Sequence, residues 1–229
     1  MKMYSVNHDD YYVQTNNDGI VKTFNRMCLG LLVTTIISYL SYSSGLYMRF
    51  LYGSSYAILA IVEIAVVLLF SFMYRKLSPA AVTFLFYLYA CINGITMGSI
   101  FAVYNMTTIF SAFLTASLLF GGLAVYGYTT KRDLTKLSTI FTVTLMVGLL
   151  VSVINLFLHS STVTIVLDWV MLLLFCGITA YDMNKIKYMQ NYVDCDEEKI
   201  YIYCAMDLYL DFINIFIRLL SIFARNSKD

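Results

Sequence analysis

Six long apolar runs leave this chain few folds to choose from. They lie at 27–48, 52–74, 79–104, 107–128, 137–158 and 163–184, and each is close to the ~20 residues that carry a helix across a bilayer. Inside a bilayer no water satisfies backbone N–H and C=O groups. A run without the period-2 alternation of a barrel strand must therefore cross as a helix. Composition agrees: 60% of the 229 residues are hydrophobic, 13% are charged and only one is proline, against roughly 25% charged in soluble domains. The expected fold class is an all-α membrane protein. With lysine and arginine numbering 15 against 14 acidic residues, no basic field is available for a nucleic-acid partner. The partner this composition demands is the lipid bilayer.

Basic residues set the orientation. Lys2, Lys22, Arg26, Arg75, Lys76, Lys131, Arg132, Lys136, Lys185, Lys187 and Lys199 fall on one side of the expected spans, and Arg49 alone falls in the intervening loops. The positive-inside rule then predicts a cytoplasmic amino terminus. Residues 1–25 form a polar arm without the apolar core and cleavage site of a signal peptide. The domain organisation read from the sequence is this cytoplasmic arm at 1–25, a transmembrane domain at 26–224 and a short tail at 225–229. The five cysteines are scattered singly, with no disulfide or zinc spacing.

The stretch 200–223 differs from the other six because it carries Asp207, Asp211, Asn214 and Arg218. Offsets of 4, 7 and 11 residues turn by about 40°, −20° and 20° on a helix, so the four share one narrow face. Charges at membrane depth cost several kcal/mol (roughly 3) unless they face protein or water. This face must point inward, which predicts seven transmembrane helices with the seventh as a central helix surrounded by the other six. In the sixth span Asp168 and Asp182 differ by only about 40° around the axis, so both can face that post. Depth places Asp182 near Asp207 or Asp211, and Asp168 near Arg218 as a structural salt bridge.

Two desolvated carboxylates a few ångströms apart cannot both ionise easily, so the pair titrates as a unit. A shared proton ties helices six and seven together, and its loss separates them unless a cation takes its place. Oxygen ligands of this kind suit Ca²⁺, and Glu63, near mid-membrane on the second span, is a further oxygen on such a path. The acidic cluster Asp194, Asp196, Glu197 and Glu198 reads as a solvated loop. Gly94 with Gly98, and Gly121 with Gly122, read as close helix packing. No enzyme constellation is found: there is no H-E-x-x-H and no P-loop. An intramembrane aspartyl protease is disfavoured because both aspartates lack a preceding glycine, lying in Ala180-Tyr181-Asp182-Met183 and Tyr209-Leu210-Asp211-Phe212.

Three segments together resemble the Bax inhibitor family, also called the transmembrane Bax inhibitor motif family. They are Gly122-Leu-Ala-Val-Tyr-Gly-Tyr-Thr-Thr-Lys-Arg-Asp-Leu134, Ile178-Thr-Ala-Tyr-Asp182-Met-Asn-Lys-Ile-Lys187 and Ala205-Met-Asp-Leu-Tyr-Leu-Asp211-Phe-Ile-Asn-Ile-Phe216, with Asn93-Gly-Ile-Thr-Met-Gly98 a weaker fourth. The resemblance implies a pH-sensitive calcium leak gated by an aspartate pair corresponding to Asp182 and Asp211. It also implies a basic residue, Arg75, at the aspartate region. Asp207 departs from the family pattern. On this reading Asp182 and Asp211 are the proton sensor and the metal-facing groups. Asp207, Glu63, Asn214 and Arg75 support the path, calcium ions and protons are the partners, and no cofactor is required. The compact arm and tail resemble those of a bacterial plasma-membrane member. The alternative is a non-conducting regulator that binds another membrane protein, modulating cell death or a membrane protease. Proton-coupled solute transport is less supported, because neither broken helices in pairs nor inverted halves are apparent.

Overall fold

The computed structural model describes residues 8–51, 54–74, 76–132, 134–189 and 197–226. They form α1 (His8–Ser43), α2 (Leu46–Leu51), α3 (Ser54–Met73), α4 (Pro79–Met97), α5 (Ile100–Val103), α6 (Met106–Thr129), α7 (Ser138–Leu158), α8 (Ser161–Met189) and α9 (Glu197–Asn226). A 3₁₀ turn at Thr135–Leu137 precedes α7, and no strand occurs among the described residues.

Among the described residues six stretches are long and apolar enough to cross a membrane: Asp18–Ser43, Pro79–Val103, Met106–Thr129, Ser138–Asn155, Ser161–Ile186 and Glu197–Arg225. The run expected as the second span forms α3, of 20 residues. The first helix starts at His8, inside the polar arm, rather than at the edge of its apolar run. The last one runs for 30 residues, about 45 Å at 1.5 Å per residue.

Helix ends follow local chemistry. Ser78 caps α4 by accepting from the Ala81 N–H at 3.3 Å, and Pro79 fills the first turn, where its missing N–H costs nothing. Asn105 caps α6, its Oδ1 accepting from the Thr108 N–H at 2.8 Å. The expected third span is interrupted at Gly98 and Ser99, between α4 and α5.

Packing ranks the helices. The last helix, α9, lies against α1, α4, α6 and α8, while α7 packs on α8. Fully buried Ile202, Met206, Leu208, Tyr209, Ile215 and Leu220 all belong to α9. By contrast α7 exposes Ile140, Val143, Leu150 and Phe157, which suits lipid and would be an aggregation surface in water. Because lipid tails are as apolar as leucine, small residues let the helices approach. A Cβ on Gly94 would lie 2.8 Å from the Thr34 carbonyl oxygen of α1, and one on Gly127 would overlap the Ala180 carbonyl oxygen of α8. Gly121 and Gly122, read from sequence as packing glycines, have nothing within 4 Å of such a Cβ. They look away from neighbouring helices, and Gly127 makes the α6–α8 contact instead.

Candidate functional site

The inward stripe of α9 meets α8 at a lysine. Lys185 stands one turn beyond Asp182 on α8, with its Nζ 3.8 Å from Asp182 Oδ1. The same Nζ donates to Asp207 Oδ2 of α9 at 3.2 Å. It also sits 4.9 Å above the ring centre of Tyr203, close enough for the ring's negative face to attract it. Tyr203 in turn stacks on Tyr74, with centroids 4.4 Å apart, and on Phe70 of α3 at 6.2 Å. One ammonium thus bridges two carboxylates on neighbouring helices, backed by aromatic rings.

Asp211 lies one turn along α9 from Asp207 and is 2% exposed. Its Oδ2 is buried with no hydrogen-bond partner among the described residues. It feels the charges of Asp182, Asp207 and Lys185, and Thr179 of α8 is beside it. The Thr179 hydroxyl donates to the Phe175 carbonyl oxygen at 2.8 Å. Asp182 therefore has both candidate neighbours, Asp207 and Asp211, within electrostatic reach, and shares Lys185 with Asp207. Next to Asp182, fully buried Asn184 donates from Nδ2 to the Gly127 carbonyl oxygen at 3.3 Å and leaves its Oδ1 unpartnered. Among the described residues no group of three or more His, Cys, Asp and Glu side chains is arranged to hold a metal ion. The nearest cation to the carboxylates is the protein's own.

Other residues singled out from sequence fall elsewhere. Glu63 accepts from the Thr96 hydroxyl of α4 at 2.5 Å, so it joins α3 to α4 rather than the aspartate cluster. Asn214 turns back on its own helix, donating to the Leu210 carbonyl oxygen at 2.8 Å. Arg75 lies outside the described residues. Asp168, 1% exposed, is bound by Arg218 at 3.0 Å, by Arg225 at 2.5 Å and by the Ser221 hydroxyl at 2.7 Å. Glu198 pairs with Arg26 at 2.6 Å across α9 and α1. Of the acidic cluster read as loop, Glu197 and Glu198 form the first turn of α9, and Asp194 and Asp196 lie outside the described residues.

A second buried polar group joins three helices. The Tyr209 hydroxyl of α9 is 2.7 Å from Thr34 Oγ1 of α1 and donates to Asn93 Oδ1 of α4 at 3.3 Å. Thr34 also reaches the Ala90 carbonyl oxygen at 3.0 Å. In the sequence Lys185 counts only toward orientation, and Arg225, Asn184, Tyr209 and Thr34 are assigned no role at a site. The offset of three from Asp182 was a signal for Lys185, and the seven-residue offset from Arg218 was one for Arg225. Thr34 and Tyr209 have no local signal.

Comparison with known proteins places this sequence in a family. The family model described as inhibitor of apoptosis-promoting Bax1 matches residues 16–228. The chain is 34% identical over 210 residues to the inner membrane protein YbhL of Escherichia coli, covering 89% of this chain and 90% of that protein. It is 30% identical over 213 residues to a Rickettsia prowazekii protein, covering 92% and 90% respectively. Over 168 residues it is 37% identical to a membrane protein of Streptococcus pyogenes, covering 73% of each.

Proposed function

Since the chain belongs to the family of inhibitors of apoptosis-promoting Bax1, we propose that it is a calcium leak of a bacterial plasma membrane, gated by protons held between Asp182 and Asp211. The observation that carries this reading is the Asp211 carboxylate. It is buried, lacks a partner at Oδ2 among the described residues, and lies within electrostatic reach of Asp182 across the α8–α9 contact. A buried carboxylate with one oxygen unpartnered is costly, and a proton or a cation relieves it.

Charge balance supports the same cargo. With all three aspartates ionised, Asp182, Asp207 and Asp211 against Lys185 leave a net charge of minus two, which one Ca²⁺ or two protons neutralise. In the protonated state the carboxyl groups and Lys185 hold α8 against α9. When the protons leave, repulsion between the aspartates loosens that contact, and hydrated Ca²⁺ exchanges its waters for carboxylate oxygens. For the ion to sit there, the Lys185 ammonium must give up Asp182 or Asp207. The reading counts α3 as a crossing helix, giving seven with a cytoplasmic amino terminus, and treats α9 as the post around which the others close. Arg75 is assigned to the aspartate region on the resemblance alone. Transport down a gradient makes and breaks no covalent bond, so no catalytic residue is assigned.

Proteoliposomes loaded with a calcium-sensitive dye test the proposal. Flux is expected to rise with pH, and Asp182→Asn and Asp211→Asn to flatten that dependence. Unchanged flux and pH profile in both variants would remove the gate. A second reading is favoured by Lys185 occupying the place of a mobile cation: a non-conducting regulator that binds another membrane protein. It predicts no flux in pure lipid and an effect that needs the partner.

A further inference from the structure

At the end of the bundle remote from Lys185, two arginines share one carboxylate. Asp168 takes Arg218 on Oδ1, and Arg225 and the Ser221 hydroxyl on Oδ2, so its oxygens are already engaged. Two guanidinium charges against one carboxylate leave a net charge of plus one in a part-buried place, the arginine side chains being 26% and 33% exposed. In addition, the Arg218 Nε–H is buried and meets no acceptor among the described residues. The positive charge left over between the two arginines and Asp168 calls for an oxygen anion nearby.

Beside that guanidinium opens a cavity of about 400 Å³, walled by Ser152, Asn155, His159, Thr164, Asp168 and Arg218. Its wall is built rather than loose. Asn155 Nδ2 donates to Thr164 Oγ1 at 2.8 Å, Asn155 Oδ1 accepts from the Ser160 N–H at 3.1 Å, and Thr164 donates to the Ser160 carbonyl oxygen at 3.1 Å. His159 closes α7 in the left-handed conformation, with φ 49°, a backbone state that side chains rarely adopt without local support.

We propose that this pocket binds a phosphate-type oxyanion, seated against the part-exposed side chain of Arg218 with the Asn155–His159–Thr164 wall around it. The guanidinium fork matches two phosphate oxygens at once, and the single excess positive charge equals the charge of a phosphodiester or of a singly ionised phosphate. Free phosphate and the headgroup phosphate of a lipid at the membrane edge share this chemistry. The site is independent of the aspartate gate and stands or falls separately.

The test uses the full chain purified in detergent, with thermal unfolding followed at fixed ionic strength. One arm titrates inorganic phosphate against chloride. The other compares phosphatidylglycerol with diacylglycerol, which has similar tails and no phosphate. At a hundredfold excess over Kd the melting temperature is expected to rise by about 5 °C. Arg218→Lys, which keeps the charge and loses the planar guanidinium, should weaken the midpoint about tenfold. Should that variant fail to fold, Thr164→Val removes a wall hydroxyl without touching the ion pairs and should also weaken it. Stabilisation by inorganic phosphate identifies a free oxyanion, and stabilisation by phosphatidylglycerol alone identifies a headgroup. No stabilisation in either arm, or stabilisation that survives unchanged in the folded variants, overturns the proposal.

Discussion

Replacing Lys185 with methionine removes the cation that α8 lends to the aspartate cluster while keeping a side chain of similar length. At 3.2 Å from Asp207 and 3.8 Å from Asp182, the bare attractions are roughly 5 and 4 kcal/mol at an effective dielectric of about 20. Those are ceilings. Lys185 and Asp207 keep 25% and 23% of their side-chain surface exposed, so water screens them, and the ammonium has given up its own hydration. A net of about 1–3 kcal/mol is a sensible remainder, a factor of about 5–150 in competition against a mobile cation. Lys185→Met in dye-loaded proteoliposomes should therefore leak Ca²⁺ faster than the parent chain by at least about fivefold, on the same range. The exposed Lys136→Met serves as a control for surface charge. A folded Lys185→Met protein with unchanged or slower flux would refute the idea that the ammonium competes with the ion.

Two further expectations concern the scaffold. Gly127→Ala puts a methyl group onto the Ala180 carbonyl oxygen, whereas Gly121→Ala meets open space. The first should lower stability by about 1–3 kcal/mol, as overpacking does, and the second should leave it unchanged, both read by thermal unfolding in detergent. Tyr209→Phe strips the hydroxyl that joins Thr34 and Asn93 and should cost about 1–3 kcal/mol for the buried polar groups left behind. Equal melting temperatures for Tyr209→Phe and the parent would mean that this three-helix junction is not a structural tie.

Periodicity and hydropathy are local properties, so the sequence alone established the helical class, the polar face shared by Asp207, Asp211, Asn214 and Arg218, and the opposition of Asp168 and Arg218 at one depth. Helical rise fixes the depth of a residue along its own axis, and the cost of placing charge in lipid fixes the inward direction. The partner across the gap is decided by rotation and approach of separate helices, which no local pattern encodes. Lys185 counts in the sequence as one more basic residue at a membrane edge, yet the fold turns it onto Asp182 and Asp207. Asn214, on the charged face by angle, bonds to its own backbone, at the Leu210 carbonyl oxygen one turn back. Gly127 rather than Gly121 touches α8, and Thr34 meets Tyr209 across 175 residues of chain. Depth along the bilayer was thus written into the linear chain, while neighbourhood was set by helix-to-helix contact, where small residues decide how near two backbones come and therefore which charges meet.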